Sequence, residues 1–310
     1  ARVYAAEKKS KEALDDIEHA LKNEPDSPQR IGQALLLRAQ VHQQAGDAKA
    51  ARADLDEALK DTPGWAPALE LRAILSANDN DYSQAIEDFK QLQKVAPKSP
   101  ELLGQLAMLY EANKQPRKAV AAYNDVLAVD SENFMALRGR ADAYLNIGDH
   151  ADAVTDYEAA LKIKPQDSGV LNNLAWVLAT SPDDNVRNGK RSVELGTQAA
   201  KLGDYKQAHI LSTLAAGYAE TGDFDTARQW SQKAVDLGSD DPDVNTQLKK
   251  ELASYENKKP WREKQVIEEK DDSGSSSGDE KHSAAKKLPG PPAITDGDSA
   301  AAKAASTKKE

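Results

Sequence analysis

The most regular feature of the chain is a small residue followed by an apolar residue four positions on and a small or apolar residue seven positions on. Ala13, Ile17 and Ala20 set this pattern, and Ala51, Leu55 and Ala58 repeat it. It continues through Ala85, Phe89 and Leu92, then Ala119, Tyr123 and Val126, then Ala153, Tyr157 and Ala160. Ser192 with Ala199 and Ala227 with Ala234 close the series, Gly196 and Ser231 standing in the middle position. Such spacing puts one stripe of each helix against a neighbour. The first members stand at 13, 51, 85, 119, 153, 192 and 227, in steps of 38, 34, 34, 34, 39 and 35 residues. A fixed step of this size marks a stacked repeat whose unit is one supersecondary element.

A second small position precedes the first by twelve residues, at Ala1, Ala39, Ala73, Ala107, Ala141 and Ala215. In the sixth repeat it is Ala175, seventeen residues upstream, because five extra residues separate the two helices. Two helices packed about 8–10 Å apart need small residues where they cross, so the two series predict helix pairs. Gly46-Asp47, Gly148-Asp149 and Gly222-Asp223 fall between the helices of a pair, where glycine ends a helix and aspartate caps the next. Pro25, Pro63, Pro97 and Pro165 end the second helix. Lys8, Asn80 and Lys114 replace the turn glycine, and Ser131, Asp204 and Ser239 replace the terminal proline.

Over residues 1–238 these features resemble the tetratricopeptide-repeat (TPR) family, whose unit is 34 residues long. The resemblance implies an all-α fold: a right-handed α-solenoid of about seven helix-turn-helix repeats, the first one truncated. The sixth repeat runs from Leu171 to Trp176, then through Ala179 to Asp183 and Arg187-Asn188-Gly189. With its insertion it is similar to repeats of large bacterial TPR proteins, which are often fused to another domain. The chain opens at Ala1 in the phase of a half-finished helix, the expected sign of a fragment or a processed protein.

Past the array, residues 239–267 read as a capping helix and linker. Val244, Leu248, Leu252 and Tyr255 form the stripe of a helix over 241–256, with Trp261 expected to tuck back on it. A solenoid end needs such a cap. Residues 268–310 are rich in Ser, Gly, Ala, Lys and Asp. They are expected to stay disordered, because they cannot bury enough surface to offset the entropy of ordering.

Charge narrows the partners. The net charge of −10 opposes nucleic acid and anionic membrane surfaces, both of which need clustered cations. No apolar run reaches the roughly 18 residues of a spanning helix. The chain has no cysteine, which removes disulfides and thiolate metal sites and suits cytoplasm and periplasm alike.

No catalytic constellation emerges. Gly274-Ser275-Ser276-Ser277-Gly278 has the spacing of a nucleophile elbow but lies in the Ser/Gly tail, without strand, histidine or acid partners. Gly189-Lys190 lacks the hydroxyl and the upstream glycine of a phosphate loop. Asn78-Asp79-Asn80-Asp81 has Lys90 where a calcium loop needs glutamate. Ser239 to Asp243 reads as a helix cap. His19, His42, His150, His209 and His282 never stand three or four apart, and are expected on the surface or in turns. The reading is therefore a non-enzyme, without metal or cofactor.

In TPR proteins the first helix of each repeat lines a concave face. That phase picks out Gln105 and Met108, then Arg138 and Asp142, then Asn172, Asn173 and Trp176, then Ser212, Thr213 and Ala216 as exposed candidates. Asparagine can pair with both sides of a peptide backbone, tryptophan supplies contact area, and Asn173 holds a place where peptide-binding TPRs often carry asparagine. A partner protein or peptide centred on Arg138, Asn172, Asn173 and Trp176 is one reading. The other is that the two asparagines and Trp176 pack the unusual sixth repeat. Arg138 is the clearest cation of the face, so the carboxylate clamp of chaperone-binding TPRs is not expected. Self-association, or service as the arm of an enzyme encoded upstream, are the alternatives to a peptide-holding scaffold.

Overall fold

The computed structural model describes residues 1–6, 9–23 and 27–263, with the pairs 269–270 and 276–277. Fifteen helices occupy these residues. The first repeat is α1 (Arg2–Ala6) and α2 (Ser10–Asn23); the second is α3 (Pro28–Gln44) and α4 (Ala48–Asp61). The third is α5 (Ala66–Asn78) and α6 (Tyr82–Val95); the fourth is α7 (Pro100–Ala112) and α8 (Pro116–Val129). The fifth is α9 (Phe134–Ile147) and α10 (His150–Ile163); the sixth is α11 (Ser168–Thr180) and α12 (Gly189–Leu202). The seventh is α13 (Ala208–Glu220) and α14 (Phe224–Leu237), and α15 (Pro242–Glu256) follows it. The chain forms two compact units, Ala1–Ser131 and Glu132–Glu268.

Both series of small residues sit where the helices cross. Ala13, Ala51, Ala85, Ala119, Ala153, Ser192 and Ala227 are fully buried, and so are Ala39, Ala73, Ala107, Ala141, Ala175 and Ala215. In the sixth repeat the two positions touch directly, Ser192 Oγ donating to the Ala175 carbonyl at 2.7 Å.

In the second, third, fourth, fifth and seventh repeats the turn inside the pair keeps one geometry whatever residue fills it. Gly46, Gly148 and Gly222 take φ of 82°, 91° and 86°, and Asn80 and Lys114 take 61° and 58° in the same place. The next N–H then donates to the carbonyl five residues back, as Asp47 does to His42 at 2.8 Å and Gln115 does to Tyr110 at 2.8 Å. This bond satisfies an orphan carbonyl of the first helix. Lys8 and Pro25 lie outside the described residues. After the second helix, Thr62, Ala96 and Lys164 leave helical geometry before their prolines, with φ near −130°. Asp130 does the same before Ser131.

A second device recurs with the repeat. Arg38 forks onto Asp54 at 2.9 and 2.5 Å, Arg72 onto Asp88 at 2.9 and 2.6 Å, and Arg140 onto Asp156 at 2.7 Å from both nitrogens. Each pair joins the two helices of one repeat beside the alanine crossing. The bond to Asp156 raises the Arg140 guanidinium above its usual range, against the pull of burial. Arg72 also donates to Asp56 of the preceding repeat at 2.6 Å. The fourth repeat places Leu106 and Ala122 at these two positions, both buried.

His150 stands just past the Gly148-Asp149 turn and is buried there, its Nδ1 2.9 Å from Ser181 Oγ. The stretch 268–310, expected to be disordered, lies outside the described residues except for Glu269–Lys270 and Ser276–Ser277, two short strands paired with each other. Among the described residues no helix is long and apolar enough to cross a membrane.

Three outcomes follow for chemical denaturation. Asp156→Ala alone strands a guanidinium at the helix crossing and is expected to cost about 2–4 kcal/mol. The double change Arg140→Leu with Asp156→Ala, which copies the fourth repeat, is expected to fall within about 1 kcal/mol of wild type. Lys114→Gly relieves a left-handed residue that carries a Cβ, and is expected to stabilise by about 1 kcal/mol.

Candidate partner-binding site

In the unit Ala1–Ser131 the first-helix position one residue past Ala39, Ala73 and Ala107 is open. Met108, on α7, exposes 51% of its surface. Ile74, at the same phase on α5, exposes 48%. Gln105 is also exposed. Ile74 was missed in the sequence reading, although it stands 34 residues before Met108 and so carries the same signal.

In the unit Glu132–Glu268 the equivalent row begins with a polar network. Asp142 Oδ1 accepts from Tyr157 Oη and from Asn173 Nδ2, the latter at 3.2 Å. Arg138 Nε lies 4.0 Å from Asp142 Oδ2, and Asn172 Nδ2 donates to Asn173 Oδ1 at 3.3 Å. The network ties α9, α10 and α11 together. The surrounding helices raise the Asp142 carboxyl above its usual range, against the pull of Tyr157, Arg138 and Asn173, although 35% of the side chain still meets solvent. Burial raises the Tyr157 hydroxyl further. Arg138, Asp142 and Asn173 are thus brought together and remain partly accessible.

The rest of the expected face is covered. Asn172, Trp176, Ser212, Thr213 and Ala216, anticipated as exposed, are all buried, Trp176 retaining 6%. For Trp176 and its neighbours the cover is the chain's own C-terminal segment, returning from α15. Trp176 Nε1 donates to Glu263 Oε2 at 2.9 Å. Trp261 packs against the cluster of Trp176, Ala179, Ala215, Ala216, Ala219 and Tyr255. Trp261 does return to the array, but its seat also includes inner-face residues of α11 and α13. Ser212 Oγ donates to Glu251 on α15.

The insertion of the sixth repeat takes part in this arrangement. Arg187 Nη1 donates to the Ser181 carbonyl at 2.7 Å, and its Nε donates to Glu220 Oε1 at 3.0 Å. The other oxygen of Glu220 lies 2.6 Å from Arg262 Nη2. Gly189 lets the start of α12 approach this glutamate: a Cβ there would come within 3.0–3.1 Å of Glu220. Glu220 thus sits between an arginine of the insertion and an arginine of the returning segment. Among the described residues no group of His, Asp and Glu has the arrangement of a metal site.

Stacked helix pairs of this length, crossing on alanines and turning through a left-handed residue, define a helical-repeat interaction scaffold. The tetratricopeptide-repeat family matches residues 36–101 and 105–168, and over those residues the chain carries tetratricopeptide repeats. The DnaJ homolog subfamily C member 3 homolog of Dictyostelium discoideum is 25% identical over 214 residues, 63% of this chain. The match covers 38% of that protein's length. Among solved structures, the type IV pilus biogenesis factor PilW is 18% identical, covering 70% of this chain and 98% of its own, with a TM-score of 0.54. PilF of Pseudomonas aeruginosa is 16% identical, covering 72% and 99%, with a TM-score of 0.53. At such identities the likeness is one of fold.

The cap loses stability as pH rises towards neutrality. Glu251 is buried on α15, accepting from Ser212 and from Gln247 Nε2 at 2.9 Å. Burial pushes its carboxyl up to about 7 from a reference of 4.5, with Glu263 adding to the rise. Glu263 is itself raised by burial. The folded protein therefore keeps a proton that the unfolded chain releases above pH 4.5. This contribution to stability is whole below that pH and is lost as pH climbs towards 7, by about 3 kcal/mol in all. Glu251→Gln is expected to shrink the fall in stability between pH 5 and pH 8 by about that amount, read from denaturation at the two pH values.

Proposed function

We propose that this protein is an interaction scaffold that holds a segment of a partner protein against the first helices of its repeats. The observation that supports the reading is the unequal cover of one row of positions. At Trp176 the row is covered by a segment of the chain itself, whereas at Ile74 and Met108 it leaves two large apolar side chains half exposed. Large apolar side chains left exposed at repeat-related positions are candidates for contact with a partner. Gln105 lies beside Met108 for polar contact with a bound backbone. In the second unit, Arg138, Asp142, Asn173 and the buried Asn172 form a polar cluster on the first helices of its own repeats, and Trp176 lies beneath the returning segment. A single-segment contact of this kind binds at about micromolar strength.

The test is an affinity capture from native lysate with quantitative mass spectrometry. Wild type is compared with Ile74→Asp/Met108→Asp and, separately, with Arg138→Glu. A partner is expected to be retained by wild type and weakened at least about 10-fold by the double variant, a loss of roughly 1.4 kcal/mol or more. Equal retention by wild type and by folded variants would dismiss the inner face as the working surface.

A further inference from the structure

The segment that returns from α15 makes contact through three consecutive residues, each with its own contacts on α11 or α13. Trp261 enters the apolar cluster beside Trp176, Ala215 and Tyr255. Arg262 sets Nη2 2.6 Å from Glu220 Oε2, and its Nη1 donates to the Ala179 carbonyl at 3.3 Å. Glu263 accepts from Trp176 Nε1 at 2.9 Å, and its backbone N–H donates to the Thr180 carbonyl at 3.0 Å. Ala179 and Thr180 end α11. Their carbonyls belong to the last turn, which has no partner within its helix. The segment thus takes up an orphan helix end, a buried indole N–H and a carboxylate already set by Arg187.

Two further features bear on how this seat is built and tethered. The sixth repeat departs from the pattern by its insertion, and the insertion supplies the Arg187 that holds Glu220 and the Gly189 that lets α12 approach it. The tether is short and strained: Lys258, two residues past α15, sits at φ 53°, in the left-handed region that a side chain disfavours.

We propose that the face formed by α11 and α13 is a binding site for a non-helical segment reading aromatic, arginine, glutamate; that Trp261–Glu263 is its occupant in cis; and that a partner protein presenting the same three side chains takes the site by displacing it. The inference rests on the second unit alone, so it stands or falls separately from the exposed row at Ile74 and Met108.

The arithmetic of a tether sets the size of the effect. A short link holds the cis segment at an effective concentration of the order of millimolar. Against an intrinsic affinity of about micromolar, the site is open in roughly one molecule per thousand, and a competing peptide is weakened by about 10²–10³-fold.

The experiment uses the full chain and a fluorescent synthetic peptide of residues 257–265, read by anisotropy. Three proteins are compared: wild type, Trp261→Ala, and Arg262→Ala/Glu263→Ala. The second variant leaves the tryptophan in its cluster, should its loss impair folding. Both variants are checked for wild-type helicity. Trp261→Ala is expected to bind the peptide about 10²-fold or more tighter than wild type, Arg262→Ala/Glu263→Ala by a smaller factor because its own tryptophan still competes for the cluster, and a peptide with alanine for its tryptophan is expected to lose that binding. Helical variants that bind no better than wild type, or that bind the altered peptide equally well, would overturn the proposal. A wild-type chain that sediments as a dimer and becomes monomeric on Trp261→Ala would overturn the partner assignment in favour of a second copy exchanging the same segment.

Discussion

Each helix pair in this chain depends on the absence of side-chain volume at one crossing. From the second repeat on, an alanine or serine from each helix is buried there with no exposed surface, and larger neighbours such as Tyr157 and Leu55 fill the flanks. A larger residue at either position would push the helices apart along their whole length, because close-packed interiors do not yield locally. The left-handed turn and the Arg–Asp forks are secondary to this approach. They work only because the crossing fixes where the second helix begins and how near its aspartate comes.

What the sequence made legible follows from that constraint. The alanine series, the turn glycines and the capping aspartates are local and repeat in phase, so they could be read without knowing any contact across the chain. The forks, sixteen residues from arginine to aspartate, were equally periodic at Arg38, Arg72 and Arg140 and could have been found by the same alignment. The cover over Trp176 could not. Its partner Glu263 lies 87 residues away, in a segment that belongs to no repeat. A phase argument places a side chain on a face but says nothing of what later lies on that face. For this reason Gln105, Met108, Arg138, Asp142 and Asn173 stand open to some degree, whereas Asn172, Trp176 and Thr213, chosen by the same rule, are buried.

The sixth repeat shows how a departure from periodicity can be compensated. Its extra residues would leave a loose loop between α11 and α12, but Arg187 folds back onto the Ser181 carbonyl, and Asn188 donates its N–H to the Leu178 carbonyl at 2.8 Å. The loop is thus pinned to the end of its own helix. The same arginine reaches Glu220 at the end of α13, so the irregular repeat and the regular one after it share a carboxylate.

The distance in sequence between Trp176 and its cover has a consequence for biosynthesis. Chains emerge from the ribosome in order, at about 5–20 residues per second. With 87 residues between Trp176 and Glu263, the α11 face waits roughly 4–17 s at such rates before the segment that closes it has been made. During that interval the nascent protein carries an indole and an apolar patch without the cover that the finished protein lays over them. The arrival of Trp261–Glu263 therefore ends a window of vulnerability for everything already folded.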